Sequence, residues 1–299
     1  MTLLDEKATV EAVNPELEAR SVRAEARRGL LHALPAYVYL IVFFALPLAI
    51  VFVFSFASRT STGRPVLGGW NLDGYARLAE PVIRTIAGRS LWLAALNTAI
   101  CLLIGYPFAY WIATRAKAST RNLLLVLVLI PFWSNFLVRT YAWRVLLDSD
   151  GPVTRVGEVT GLWGSMLFTQ PAVFIGLLYG YLPFMVLPLY AAIERLDWSL
   201  VEAARDLYAT RWEAFRKVTL PLSKPGVIAG SILVFIPSLG AYVTPDILGG
   251  AKTTLLGNYI VTQFTSGRNW PFGAALSFVI LTAMLLATIA YFRSGAKTL

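Results

Sequence analysis

Six apolar runs, each near the length of a membrane crossing, constrain this chain more than any other feature. They cover 34–56, 91–113, 123–147, 171–193, 227–243 and 272–292, with polar residues gathered between them. A helix rises 1.5 Å per residue, so about 20 apolar residues span about 30 Å of hydrocarbon. Composition agrees: 57% of the chain is hydrophobic and 14% charged, against about 45–50% and about 25% in soluble domains. The expected fold is an all-α membrane protein with six transmembrane helices. The third run is interrupted by Arg139 and Arg144, charges that must face protein, water or headgroups, and both are expected at the outer mouth.

One His and one Cys exclude a disulfide, a zinc or iron–sulfur cluster and a Cys/His nucleophile pair. Cys101 lies in an apolar run and reads as a small buried hydrophobe; His32 reads as an interfacial residue. No metal or cofactor site is expected. The net charge of +9 would point to nucleic acid on a soluble protein. Here the basic residues cluster between apolar runs, as the positive-inside rule expects, so no nucleic-acid partner is expected.

Lys and Arg set the orientation. Placing both termini in the cytoplasm puts 16 basic residues inside and 10 outside. The first connection, with five arginines, runs against the trend, but long loops obey it weakly. The tail 1–29 carries six acids and lacks aromatics, so it reads as a cytosolic extension. The first run exceeds a signal h-region and is expected to be a retained anchor. The domain reading is therefore a tail, 1–29, and a transmembrane domain, 30–299, with one sizeable inner polar loop at 194–225.

That loop carries two helix signals. Asp197 or Ser199 can cap a helix, with Glu202 three residues after Ser199 as in a capping box. Leu200, Ala203, Ala204 and Leu207 follow helical spacing and make one small apolar face. Thr210-Arg211-Trp212-Glu213 offers a second capped start, ending towards Leu220-Pro221. Two short angled helices are expected. A connector packed only on its own bundle does not explain the small Ala203-Ala204 face, which favours close approach by another helix or groove.

The segment from Glu202 to Pro221 resembles the EAA loop of bacterial binding-protein-dependent ABC importer permeases. The pattern is Glu-Ala-Ala, three residues, Gly, nine residues, Ile, any residue, Leu-Pro. Glu202, Ala203, Ala204, Leu220 and Pro221 match; Val218 replaces Ile, and Tyr208 stands at the Gly position. If that Gly supplies a turn with positive φ, Tyr208 is strained. Pro131-Phe132-Trp133, Val138 to Trp143, Pro237 to Gly240, Asp246 to Gly250 and Trp270 to Ala275 are similar to the spermidine/putrescine-type branch.

The resemblance implies a type I importer bundle with cytoplasmic coupling helices, in which two permeases form the pathway. In that branch the second permease is a distinct homologue as a rule. Two cytoplasmic ATP-binding subunits grip the loops, and a periplasmic binding protein delivers a small polar solute. The chain lacks a Gly-x-x-x-x-Gly-Lys-Ser/Thr loop, so hydrolysis belongs to partners and the chain is not an enzyme. The residues expected to couple are Glu202, Ala203, Ala204, Asp206, Leu207, Tyr208, Leu220 and Pro221. Glu202 is expected to fix the helix by a charged or capping contact, while the alanines permit insertion.

Helix breakers mark where such a pathway would move. Gly180, Pro183 and Pro188 are expected to interrupt the fourth span, and Gly230, Pro237 and Gly240 the fifth. Candidate pathway residues are Trp133, Tyr141, Trp143, Tyr181 and Tyr242, whose rings can hold a cation, together with Arg139 and Asp246. The middles of the spans carry no acid, so a polycation lacks a carboxylate there, while Arg139 points to an anion or zwitterion. A polyamine-like solute leads, with an amino acid, an opine or another small zwitterion or anion as alternatives. A secondary transporter or channel predicts intramembrane carboxylates or His, which the spans do not offer. A membrane scaffold whose loop recruits a partner without transport predicts a tightly packed bundle, whereas Gly and Pro breaks suggest mobility.

Overall fold

The computed structural model describes residues 29, 32–60, 62–115 and 117–295. The tail reading falls almost wholly outside these residues. Two compact units divide at Phe54 and Ser55. The first holds all but the last residue of helix α1, His32–Ser55, of 24 residues, which widens into a π turn at Ile41–Ala45. From Leu34 to Ile50 its Leu, Ile, Val, Phe and Tyr side chains are exposed, the pattern of a helix made to face lipid.

The second unit begins with a two-stranded antiparallel hairpin, β1 (Ser58–Arg59) on β2 (Pro65–Val66). Helices then follow: α2 Pro81–Arg115, α3 Ala118–Trp133, α4 Phe136–Leu147, α5 Pro152–Thr160 and α6 Gln170–Glu194. After them come α7 Ser199–Asp206, α8 Arg211–Leu222, α9 Lys224–Leu239, α10 Leu256–Phe264 and α11 Trp270–Gly295. Among the described residues four helices are long and apolar enough to cross a membrane, or up to six if each of two bent pairs is one span.

Helices α2, α6 and α9 pack on one another most extensively. With 35 residues, α2 is about 50 Å long and contributes to all three buried clusters. Cys101, Tyr106, Ala109 and Ile112 meet Met185, Leu189 and Ile193 of α6 and Val234 of α9. Leu93 joins Leu147, Val173, Leu177 and Leu248. Ile83, Ile86 and Ala94 join Leu239, Leu256, Phe272 and Leu276. Hydroxyls and amides cross-link the same bundle. Ser90 accepts from the Leu256 amide at 2.8 Å, and Asn97 donates to Ser238 at 2.9 Å. Such bonds hold membrane helices together where apolar contact alone gives no preference over lipid.

The third run departs from the reading of one helix continuing past Trp133. It breaks at Ser134 and Asn135, and the helical residues on either side meet at 93°. Ser134 is extended, and the Asn135 side chain accepts from the Leu137 amide, starting a new helix. A polar pair ahead of a good N-cap turns the chain more cheaply than a continuous helix carrying two arginines would cross lipid.

Most of the expected breaks are also corrected. Gly180, Pro183 and Pro188 lie inside the unbroken α6, and Gly230 and Pro237 lie inside α9. Each proline removes one backbone donor, which a helix packed on both neighbours tolerates. Gly230 serves close approach: a Cβ there would stand 2.8 Å from Met185 Sδ and 3.2 Å from the Met185 carbonyl oxygen. Gly226, one turn earlier, meets Ala192 and the Pro188 carbonyl in the same way. Gly240 alone ends a helix, as the cap of α9.

Candidate functional site

Between α6 and α9 the chain folds as a helix–turn–helix. Trp198 stands at the N-cap of α7 without a side-chain cap, and Asp197 just before it accepts from the Ser199 amide at 3.0 Å. The box expected between Ser199 and Glu202 does not form, and Ser199 is the first helical residue. Glu202 makes no hydrogen bond or ion pair among the described residues; it is exposed in the first turn, where its charge complements the helix dipole. At Thr210 the second box does form. The Thr210 hydroxyl accepts from the Glu213 amide at 3.2 Å, and Glu213 accepts from the Thr210 amide at 2.9 Å. The Thr210 amide and hydroxyl, with Lys217 beside them, hold the Glu213 carboxyl below the usual range.

One side of this unit is pinned and the other is bare. Phe215 packs edge-on against Tyr106 and Tyr110, with ring centroids 5.7 and 5.9 Å apart. Trp198 meets Tyr110 at 6.3 Å, and Trp212 stacks on Phe215 at 5.4 Å. An aromatic cluster thus clamps both loop helices to the end of α2. On the other side Leu200, Ala203 and Leu207 are exposed and Ala204 is half-buried. Asp206 and Leu220 are exposed as well, while Pro221 opens the last turn of α8.

The turn itself carries Leu207, 82% exposed, and Tyr208, 97% exposed. Tyr208 has φ +63°, the left-handed conformation that a Gly at this position would supply, and not a helical turn. For a residue with a Cβ it costs about 1–2 kcal/mol.

The far end of the loop is tied into the bundle. Ser223 is fully buried at the junction of α8 and α9, where the axes bend by 62°. Its Oγ lies 2.7 Å from the Tyr106 hydroxyl and 3.2 Å from the Leu220 carbonyl. At the near end, Arg121 of α3 pairs with Glu194, the last residue of α6, at 3.3 Å, and Tyr190 donates to the same carboxylate. Sequence reasoning missed Tyr106, Trp198, Phe215 and Ser223. Their only signal was polar or aromatic residues at the edges of apolar runs.

The candidate pathway residues are brought together in part. Arg139 and Trp143 line one narrow crevice with Thr140, Gly176, Tyr179 and Gly180. The Arg139 guanidinium lies 5.8 Å from the Phe136 ring centre, and its buried Nε has no hydrogen-bond partner. Trp143 packs edge-on to Tyr179 at 5.6 Å. Tyr181 donates to the Pro237 carbonyl at 3.2 Å, tying α6 to the last turn of α9. Trp133, Tyr141, Tyr242 and Asp246 are exposed.

The comparisons with known proteins agree with this architecture. Residues 105–296 match the family model described as "Binding-protein-dependent transport system inner membrane component". The chain is 40% identical over 260 residues to the spermidine/putrescine transport system permease protein PotB of Escherichia coli K12, covering 86% of this chain and 94% of that one. It is 41% identical over 265 residues to PotB of Haemophilus influenzae, covering 87% and 91%. Among solved structures it is similar to a bacterial ABC transporter involved in import of the acidic polysaccharide alginate. That likeness has TM-score 0.69 at 20% identity, over 92% of this chain and 99% of the other. The chain belongs to the family of binding-protein-dependent transport system inner membrane components.

Proposed function

We propose that this chain lines the membrane pathway of an ATP-driven importer, together with a second permease. A periplasmic binding protein delivers a small polar solute, and two ATP-binding subunits hold the 194–225 loops on the cytoplasmic side. Both termini lie on that side of a bacterial inner membrane. A polyamine is the favoured cargo, in keeping with the spermidine/putrescine transport systems to which the PotB relatives belong. The carrying observation is the two-sided loop. One face is clamped to α2 through Phe215, Tyr106 and Tyr110, and the other offers Leu200, Ala203 and Leu207 to solvent.

A push on the exposed face travels through solid contacts. The aromatic clamp passes it to α2, and the Tyr106–Ser223 bond passes it to the α8–α9 junction. Helix α9 moves with α6 because Gly226 and Gly230 seat the two backbones against each other. Tyr181 on Pro237 carries the displacement to the opposite end of α9. Packed helices of this kind shift as rigid bodies between discrete arrangements, the behaviour alternating access needs. Arg139 places a positive charge beside the crevice on α6, so a polycation would rest on aromatic faces, with selection left to the delivering protein.

Ala203→Asp tests the reading. It puts a charge on the exposed face and touches none of the clamp. Membrane insertion is expected to be unchanged, while the ATP-binding subunit no longer co-purifies and spermidine uptake falls to background. Wild-type uptake with normal assembly overturns the proposal.

A further inference from the structure

Tyr208 is anomalous in three respects that belong together. It stands where the resembling loop pattern has Gly, its backbone is left-handed at φ +63°, and its ring is 97% exposed. A left-handed turn is easiest for Gly and costly for a residue with a Cβ. A contact made by the side chain would offset that backbone cost. That ring gains almost nothing from this chain, because nearly all of it faces solvent. Leu207 beside it is 82% exposed and continues the bare face of α7 begun by Leu200 and Ala203. Apolar side chains and a Tyr on one protruding turn have the composition of an interface centre, where aromatic anchors dominate binding.

We infer that Tyr208 is the specificity residue through which this permease selects its own ATP-binding subunit, its ring entering an apolar recess of that subunit. The inference rests on the loop being the docking element, as proposed above. The same ring is a steric obstacle to any ATP-binding subunit shaped around a Gly at this position, so it both attracts the right partner and rejects wrong ones.

The test uses the whole permease co-expressed with its cognate ATP-binding subunit. Tyr208→Phe keeps the ring and is expected to assemble like wild type. Tyr208→Gly is expected to weaken co-purification about tenfold or more and to leave the thermal stability of the isolated permease equal or higher. It is also expected to pair better than wild type with an ATP-binding subunit from an importer whose permease carries Gly there. Equal assembly of Tyr208→Gly and wild type with the cognate subunit overturns the inference. So does a loss of permease stability in Tyr208→Gly, which would show that the ring serves this chain's own fold. Ala203→Asp in the same assay separates the two levels. If it loses the subunit while Tyr208→Gly keeps it, Tyr208 selectivity fails and the docking loop stands; if both keep it, the docking loop itself fails.

Discussion

Tyr106 and Ser223 are 117 residues apart in the chain and 2.7 Å apart at their oxygens. Each is polar among apolar neighbours, and that much is readable in the sequence. Which two polar groups meet is decided by how α2 lies against the α8–α9 junction. Burial makes the bond consequential, since a hydroxyl in a dry site has no water to replace a lost partner. Tyr106→Phe keeps the ring against Phe215 and deletes only the hydroxyl. We expect it to cost about 1 kcal/mol in stability, with normal assembly of the ATP-binding subunit but poorer coupling, measured as more ATP hydrolysed per solute moved. Unchanged coupling would remove Ser223 from the transmission path. Tyr208 illustrates the opposite situation. Its departure from the loop pattern was visible in the sequence, but the sequence left open whether the turn there is left-handed or helical, and the structure decides for left-handed.

The helices show where pattern reading works and where it does not. Apolar runs located α1, α2, α6 and α11, because a span long enough to cross lipid leaves a composition that little else imitates. Glycines and prolines within those runs were read as breaks, yet α6 and most of α9 are continuous. A Gly looks the same in sequence whether it weakens a helix or admits a neighbour, and only the packed partner distinguishes the two. Gly230→Leu forces a side chain against Met185 and is expected to cost about 1–3 kcal/mol, seen as faster thermal inactivation in detergent. Gly180 has no atom within 4 Å of an added Cβ, so Gly180→Ala is expected to be neutral or stabilising by up to about 1 kcal/mol. Equal destabilisation by both would mean that close approach is not what distinguishes these glycines. The 93° turn at Ser134 and Asn135 was illegible for a related reason: a run of apolar residues reports burial in lipid, not direction.

At the scale of the molecule, the proposed role gives this chain a pathway and a handle and leaves the motor to partner subunits. Under the proposed function energy arrives by contact, in keeping with a sequence that carries no Gly-x-x-x-x-Gly-Lys-Ser/Thr loop and with the exposed face of α7. In proteoliposomes holding both permeases, the binding protein and the ATP-binding subunits, we expect spermidine accumulation to depend on ATP and to stop with vanadate. Omitting the ATP-binding subunits should abolish it, and uphill uptake without them would refute the assignment. Membrane residence, helical class, the loop and the family it resembles were legible in the amino-acid order alone. They rest on composition and on spacing along one helix, which local physics imposes on the sequence. The clamp on α2, the Ser223 junction, the seating of α9 on α6 and the turn after Trp133 were decided only by the tertiary structure. Each depends on which distant surfaces meet, and the free energy of a contact belongs to the pair, not to either residue by itself.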